Sequence, residues 1–95
     1  MDVLIWIQQW YQKHCDGDWE HNYGIKIETL DNPGWLIEIN LEGTELEDYI
    51  LHYKLIEKSN DDWYAIKIAN KIFYATGDAY KLEFLLEKFR VLALQ

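Results

Sequence analysis

Two neighbouring runs place their apolar side chains at odd-numbered positions, and this shared parity restricts how the chain can pair with itself. Tyr23, Ile25 and Ile27 alternate with Gly24, Lys26 and Glu28, and Trp35, Ile37, Ile39 and Leu41 alternate with Leu36, Glu38 and Asn40. Such alternation is the period of a half-buried strand. Directly opposed residues of an antiparallel pair share a face, so inward partners must sum to an even number. A plain two-residue turn on Pro33-Gly34 would set Ile27 against Asn40 and turn one strand inside out. A connection of three or five residues, or a bulge, is therefore predicted around Asn32-Pro33-Gly34.

The flanking segments have a different period. Val3, Trp6, Ile7, Trp10, Tyr11 and His14 recur at the spacing of one helix face, with Asp2 placed to cap the start and Asp16-Gly17 to end it. Leu4 and Ile5 interrupt the polar face, which predicts a deeply embedded helix. After strands at Tyr23–Leu30 and Trp35–Leu41 comes an acidic loop, Glu42–Asp48, in which Leu46 alone is a core candidate. A third strand over Tyr49–Lys58 carries apolar residues on both faces, and its buried side stays open. Ser59–Asp62 reads as a turn, and Trp63–Ala69 and Ile72–Thr76 as strands joined tightly at Asn70-Lys71. Gly77 is expected to break the chain and Asp78 to cap a last helix lined by Leu82, Leu85, Leu86, Phe89, Leu92 and Ala93. The fold class predicted is α+β: an antiparallel meander of about five strands with an N-terminal and a C-terminal helix packed on it.

Ninety-five residues, 49% of them hydrophobic, make one domain over residues 1–95 with a core that needs no metal or disulfide. The single cysteine, Cys15, excludes an internal disulfide. With no charged start leading into a long apolar run, it points to a reducing, cytoplasmic setting. The net charge of −8 opposes a nucleic-acid or anionic-membrane partner and favours a basic protein, unless the acidity serves solubility alone.

Chemistry, if present, would sit between Cys15 and Trp35. Here Trp19 lies between Asp18 and Glu20, a ring that favours burial between carboxylates that resist it. Trp19 is expected to plug the core, with Gly17 supplying an uncommon backbone angle, and both Trp19 and Trp35 are expected to be mostly buried. For Asp16, Asp18 and Glu20 two readings stand: solvated acids, or a recognition surface for a basic partner. His14, Cys15 and His21 lack the paired spacing of a metal site, so no metal and no cofactor is expected. Nor is Cys15 set up as a nucleophile, because neighbouring acids raise a thiol's pKa and the only arginine is Arg90. No phosphate-binding glycine loop occurs.

The motifs Gly17-Asp18-Trp19-Glu20-His21, Tyr23-Gly24-Ile25 and Thr29-Leu30-Asp31-Asn32-Pro33-Gly34-Trp35, then Leu41 and Gly43-Thr44, resemble the immunity protein 53 family of bacterial polymorphic toxin systems. The likeness extends over nearly the whole chain, through Asp62-Trp63, Phe73, Gly77, Leu82 and Phe89, and departs after Thr76, where a second glycine and a proline are missing. Gly17, Trp19, His21, Gly24, Pro33, Gly34, Trp35 and Trp63 are its structural signature in this chain. The resemblance implies a cytoplasmic, non-enzymatic protein that binds and neutralises a cognate toxin. The residues assigned to the partner are Asp16, Asp18, Glu20, Glu42, Glu45, Glu47 and Asp48, with the exposed sheet face as a further surface and a homo-oligomer left open. The competing function is a small cysteine-dependent enzyme or metal-binding protein built on the Cys15–His21 loop.

Overall fold

A computed structural model describes residues 1–95. The chain runs α1 (Val3–His14), α2 (Trp19–Asn22), β1 (Ile25–Leu30), β2 (Gly34–Asn40), β3 (Leu51–Ser59), β4 (Asp62–Ala69), β5 (Ile72–Asp78) and α3 (Leu82–Ala93). It is the α+β arrangement expected, a five-stranded antiparallel sheet with helices at both ends of the chain. No helix is long and apolar enough to cross a membrane.

The strand order, β1-β2-β5-β4-β3, corrects the uninterrupted meander. β2 and β5 carry the most enclosed inward residues, with Ile37 opposite Ala75 and Ile39 opposite Phe73, so they take the centre. β3 offers few inward apolar side chains and is left at the edge. Residues 41–50 therefore cross the end of the sheet instead of turning back beside β2. The crossing starts where the Leu41 N–H donates to the Lys71 carbonyl (2.8 Å) at the β4–β5 turn. Asn70 and Lys71 both hold positive φ, 56° and 64°, the mirror-image turn that suits a two-residue hairpin.

β1 and β2 keep their inward residues on one face. Ile27 faces Ile37 and Leu30 faces Gly34, leaving residues 31–33 as a three-residue connection. In β3 the register slips between Leu51, opposite Ile68, and Lys54, opposite Ile66. A bulge of this kind exchanges the two faces, so Leu51 and Ile56 fall on one side and Leu55 on the other, and no simple alternation is legible.

α1 and α3 lie together on one face of the sheet. Their contact is aromatic: the Phe89 ring stands 4.9 Å from Trp10, 6.1 Å from Trp6 and 5.1 Å from Phe73. Asp2 caps α1 by accepting the Leu4 N–H at 2.8 Å. α1 is a surface helix, not an embedded one, since Leu4 and Ile5 are exposed. With sheet and α3 along its other side, nothing lies over that flank.

At the far end of the sheet the expectation that Gly77 ends the strand fails. Gly77 is paired with Trp35 and Tyr64 inside β5, and the residue before α3 is Lys81 rather than Asp78. Asp78 instead accepts the N–H groups of Trp63 (3.0 Å) and Tyr80 (2.9 Å) and the Lys81 ammonium (2.6 Å). Gly34 is required nearby for space, because a Cβ there would lie 2.5 Å from the Gly77 carbonyl oxygen. Gly34→Ala is expected to lower stability by about 1–3 kcal/mol through overpacking against backbone that cannot rotate away. Urea denaturation checks this, and an unchanged midpoint would show that the strands separate freely.

Candidate functional site

Residues 15–24 build a compact loop in which Asp16 and Glu20 bind its own backbone. Asp16 Oδ1 accepts the N–H groups of Asp18 and Trp19, each at 2.9 Å, and so initiates α2, a turn of helix in a segment the sequence reads as a loop. Glu20 reaches back to accept from Asp16 (2.9 Å) and Gly17 (2.8 Å). The Trp19 and Asp18 N–H groups hold the Asp16 carboxyl below its ordinary pKa, and Glu20 is lowered by its own N–H and those of Asp16 and Gly17. Asp18 accepts the Asn22 side-chain amide at 2.7 Å. Gly17 (φ +93°) and Gly24 (φ +77°) supply the left-handed backbone at either end of the loop.

This wiring frees Trp19 to point inward. It is 4% exposed, as the plug reading expects, and packs edge-on to Trp10 with Tyr11 and His14 beside it. Trp35 is half-buried instead of enclosed: its partner across the strands is Gly77, α3 begins only at Leu82, and its indole N–H donates to the Ala79 carbonyl at 3.0 Å. Trp63 is also half-buried, and His21 and Pro33 are exposed.

The second acidic loop folds onto the same region. Glu45 accepts the Trp10 indole N–H through Oε1 (2.8 Å) and meets His14 Nε2 through Oε2 (2.9 Å). His14 Nδ1 lies 2.8 Å from the Trp10 carbonyl oxygen. Both ring nitrogens thus lie against oxygen atoms, which fixes the ring between α1 and the second loop. Partial burial pushes the Glu45 carboxyl up, but the Trp10 N–H and His14 outweigh it and leave it below its ordinary value. Glu47 accepts the Gly43 N–H (2.9 Å) and lies 3.6 Å from Lys71, and both contacts lower its carboxyl. Glu42 stands 3.2 Å from Lys71. Asp48 is exposed and makes no ion pair or side-chain hydrogen bond.

Asp16, Asp18 and Glu20 follow directly on the C-terminal end of α1, and of the second loop Glu45 alone reaches α1, at Trp10 and His14, while Glu42 and Glu47 meet Lys71 at the β4–β5 turn. Because β2 and β3 are not neighbours, the second loop crosses the end of the sheet instead of joining adjacent strands. Sequence reasoning missed Trp10 and His14 as the anchors of the second loop. Their four-residue spacing marks a shared helix face, but Glu45, 35 residues from Trp10, carries no mark of meeting them.

Cys15 is half-buried at the C-terminal end of α1, with its thiol donating to the Tyr11 carbonyl at 3.3 Å. No group of three or more His, Cys, Asp or Glu side chains is arranged to hold a metal ion. A family model described as immunity protein 53 matches residues 4–93. No curated protein and no solved structure matches the chain.

Proposed function

Since the chain belongs to the immunity protein 53 family, we propose that it protects a bacterial cell by binding and neutralising a cognate protein toxin, in the cytoplasm and without catalysis. The family match over residues 4–93 carries this reading. The two acidic loops are the proposed contact, and the toxin is proposed to be basic, as a protein acting on nucleic acid would be.

The geometry supports that choice of surface in a specific way. Acids tied to backbone N–H groups keep their charge and their positions before any partner arrives, so little side-chain freedom is lost on binding. Each such carboxylate still has lone pairs for a lysine or arginine. A chain of net charge −8 also draws a basic partner from a distance.

The same geometry changes how the surface is tested. Reversing Glu45 or Glu47 would break the tether to α1 or the Gly43 turn, so loss of binding there would mix with damage to the fold. Asp18 and Asp48 are exposed and can be reversed with little structural cost. In stopped-flow binding to the toxin encoded beside its gene, Asp18→Lys with Asp48→Lys is expected to slow association about ten-fold at low ionic strength, with the difference shrinking as salt rises. An association rate indifferent to both the reversal and the salt would move recognition off these loops. Cys15→Ser is expected to neutralise as wild type does; loss of protection in a folded variant would favour the enzyme reading instead.

A further inference from the structure

The sheet face opposite the helices is uncovered. Across it, Leu36, Thr76, Ala65 and Leu55 form one row in register and Glu38, Tyr74 and Lys67 the next. Tyr53 joins the second row and, with Leu36, Ala65, Lys67, Tyr74 and Thr76, lines an apolar hollow of about 190 Å3. Tyr53 is 65% exposed and Leu55 48%. The composition, tyrosine and leucine at the centre with lysine and glutamate around them, is that of a protein interface and not of a solvated sheet.

We propose that this face is where a second copy of the chain docks, sheet against sheet, with the helices outermost. Charge selects the occupant. The face holds Lys26 and Lys67 against Glu28, Glu38 and Glu57, one negative charge in excess, whereas the chain carries −8. Two copies of so acidic a chain repel each other through their acidic loops, whereas on this face the charge is nearly balanced. Carrying both signs on one patch is also what a two-fold contact needs, because each lysine can face a glutamate of the other copy. Lys67, whose ammonium lies 4.8 Å from the Tyr74 ring, and Lys26, 3.7 Å from Glu38, are already laid along the surface. A basic toxin is matched better by the two acidic loops.

Size sets the strength. Five strands about 4.8 Å apart and roughly seven residues long at about 3.3 Å each give a footprint on the order of 500 Å2 per copy. About 1,000 Å2 in total is the small end of specific association, so the dimer is weak and forms at micromolar concentration or above.

Sedimentation equilibrium of the full chain from about 1 μM to about 1 mM tests this. The wild type is expected to dimerise more tightly in about 500 mM salt than in about 50 mM, since screening removes the repulsion between two acidic chains. That dependence is opposite in sign to the one expected for toxin association. Leu55→Glu and Tyr53→Glu, both at exposed positions, should weaken the dimer at least ten-fold with unchanged circular dichroism. Ile5→Glu, on the exposed flank of α1, should leave it intact. A wild type that stays monomeric at about 1 mM in high salt overturns the proposal, as does equal weakening by Ile5→Glu and Leu55→Glu. Loss of toxin capture in Leu55→Glu, with the wild type monomeric throughout, would assign the face to the toxin and likewise overturn it.

Discussion

Trp19→Ala should lower the folding stability by about 3–5 kcal/mol, the range for deleting an enclosed aromatic side chain. The ring is almost wholly buried, with its centroid 5.8 Å from those of Trp10, Tyr11 and His14. The surrounding groups are anchored elsewhere: Trp10 to Glu45 and Phe89, and the loop backbone to Asp16 and Glu20. Collapse into the vacated space is therefore hindered, which places the loss toward the upper part of the range. One feature of Trp19 opposes its own burial, since the indole N–H is enclosed without an acceptor. An orphaned donor costs about 1–3 kcal/mol, so Trp19→Phe, which keeps a ring and removes the donor, should stay within about 1.5 kcal/mol of wild type. Equilibrium urea denaturation of both variants decides it. A midpoint unmoved by alanine would reject the plug and promote the ring to a partner anchor, and a phenylalanine variant as weak as alanine would show that the N–H has an acceptor.

Removing the Asp78 carboxylate is the other large change, about 3–5 kcal/mol for Asp78→Ala, because it leaves two backbone N–H groups and the inward side of Lys81 without their acceptor. Asp78 is 3% exposed at the end of β5 and joins the starts of β4 and α3. Burial alone pushes its carboxyl up, but Lys81 and the N–H groups of Trp63 and Tyr80 reverse this and bring it from 3.8 down to about 2. A carboxyl depressed on folding contributes stability that is fully present above its unfolded pKa and disappears as the pH falls through the folded one. The contribution is about 2 kcal/mol, present above pH 3.8 and lost on the way to about pH 2. Urea midpoints measured between about pH 5 and about pH 2 should therefore fall less steeply for Asp78→Asn than for wild type, by about 2 kcal/mol over the window. Parallel curves would mean that Asp78 is as solvated folded as unfolded.

How much of this was legible beforehand divides along one line. The stripe of α3 was readable because Leu82, Leu85, Leu86, Phe89 and Leu92 repeat within one element, and α1 was readable for the same reason up to Leu4 and Ile5. Those two misled because their exposure depends on what lies above the helix. α2 was hidden because a four-residue turn has no period to detect, and it depends on Asp16 and Glu20 supplying acceptors. Both acidic clusters were visible as charge. That Glu45 ties the second to α1, and that most of their members already hold N–H groups, His14 or Lys71, was not.

The sequence by itself determined the elements other than α2, the α+β class and, through parity, a link that keeps Ile27 and Ile37 on one face. These follow from side-chain direction along a strand or helix, which the chain sets locally. Only the tertiary structure decided that β5 rather than β3 lies beside β2, that Asp78 bridges three elements instead of capping one, and that a face bearing Tyr53 and Leu55 is left without a covering layer. The physical reason is that each of these depends on which distant surfaces exclude water most completely when brought together. That competition is settled by the whole core at once and leaves no trace in the spacing of neighbouring residues.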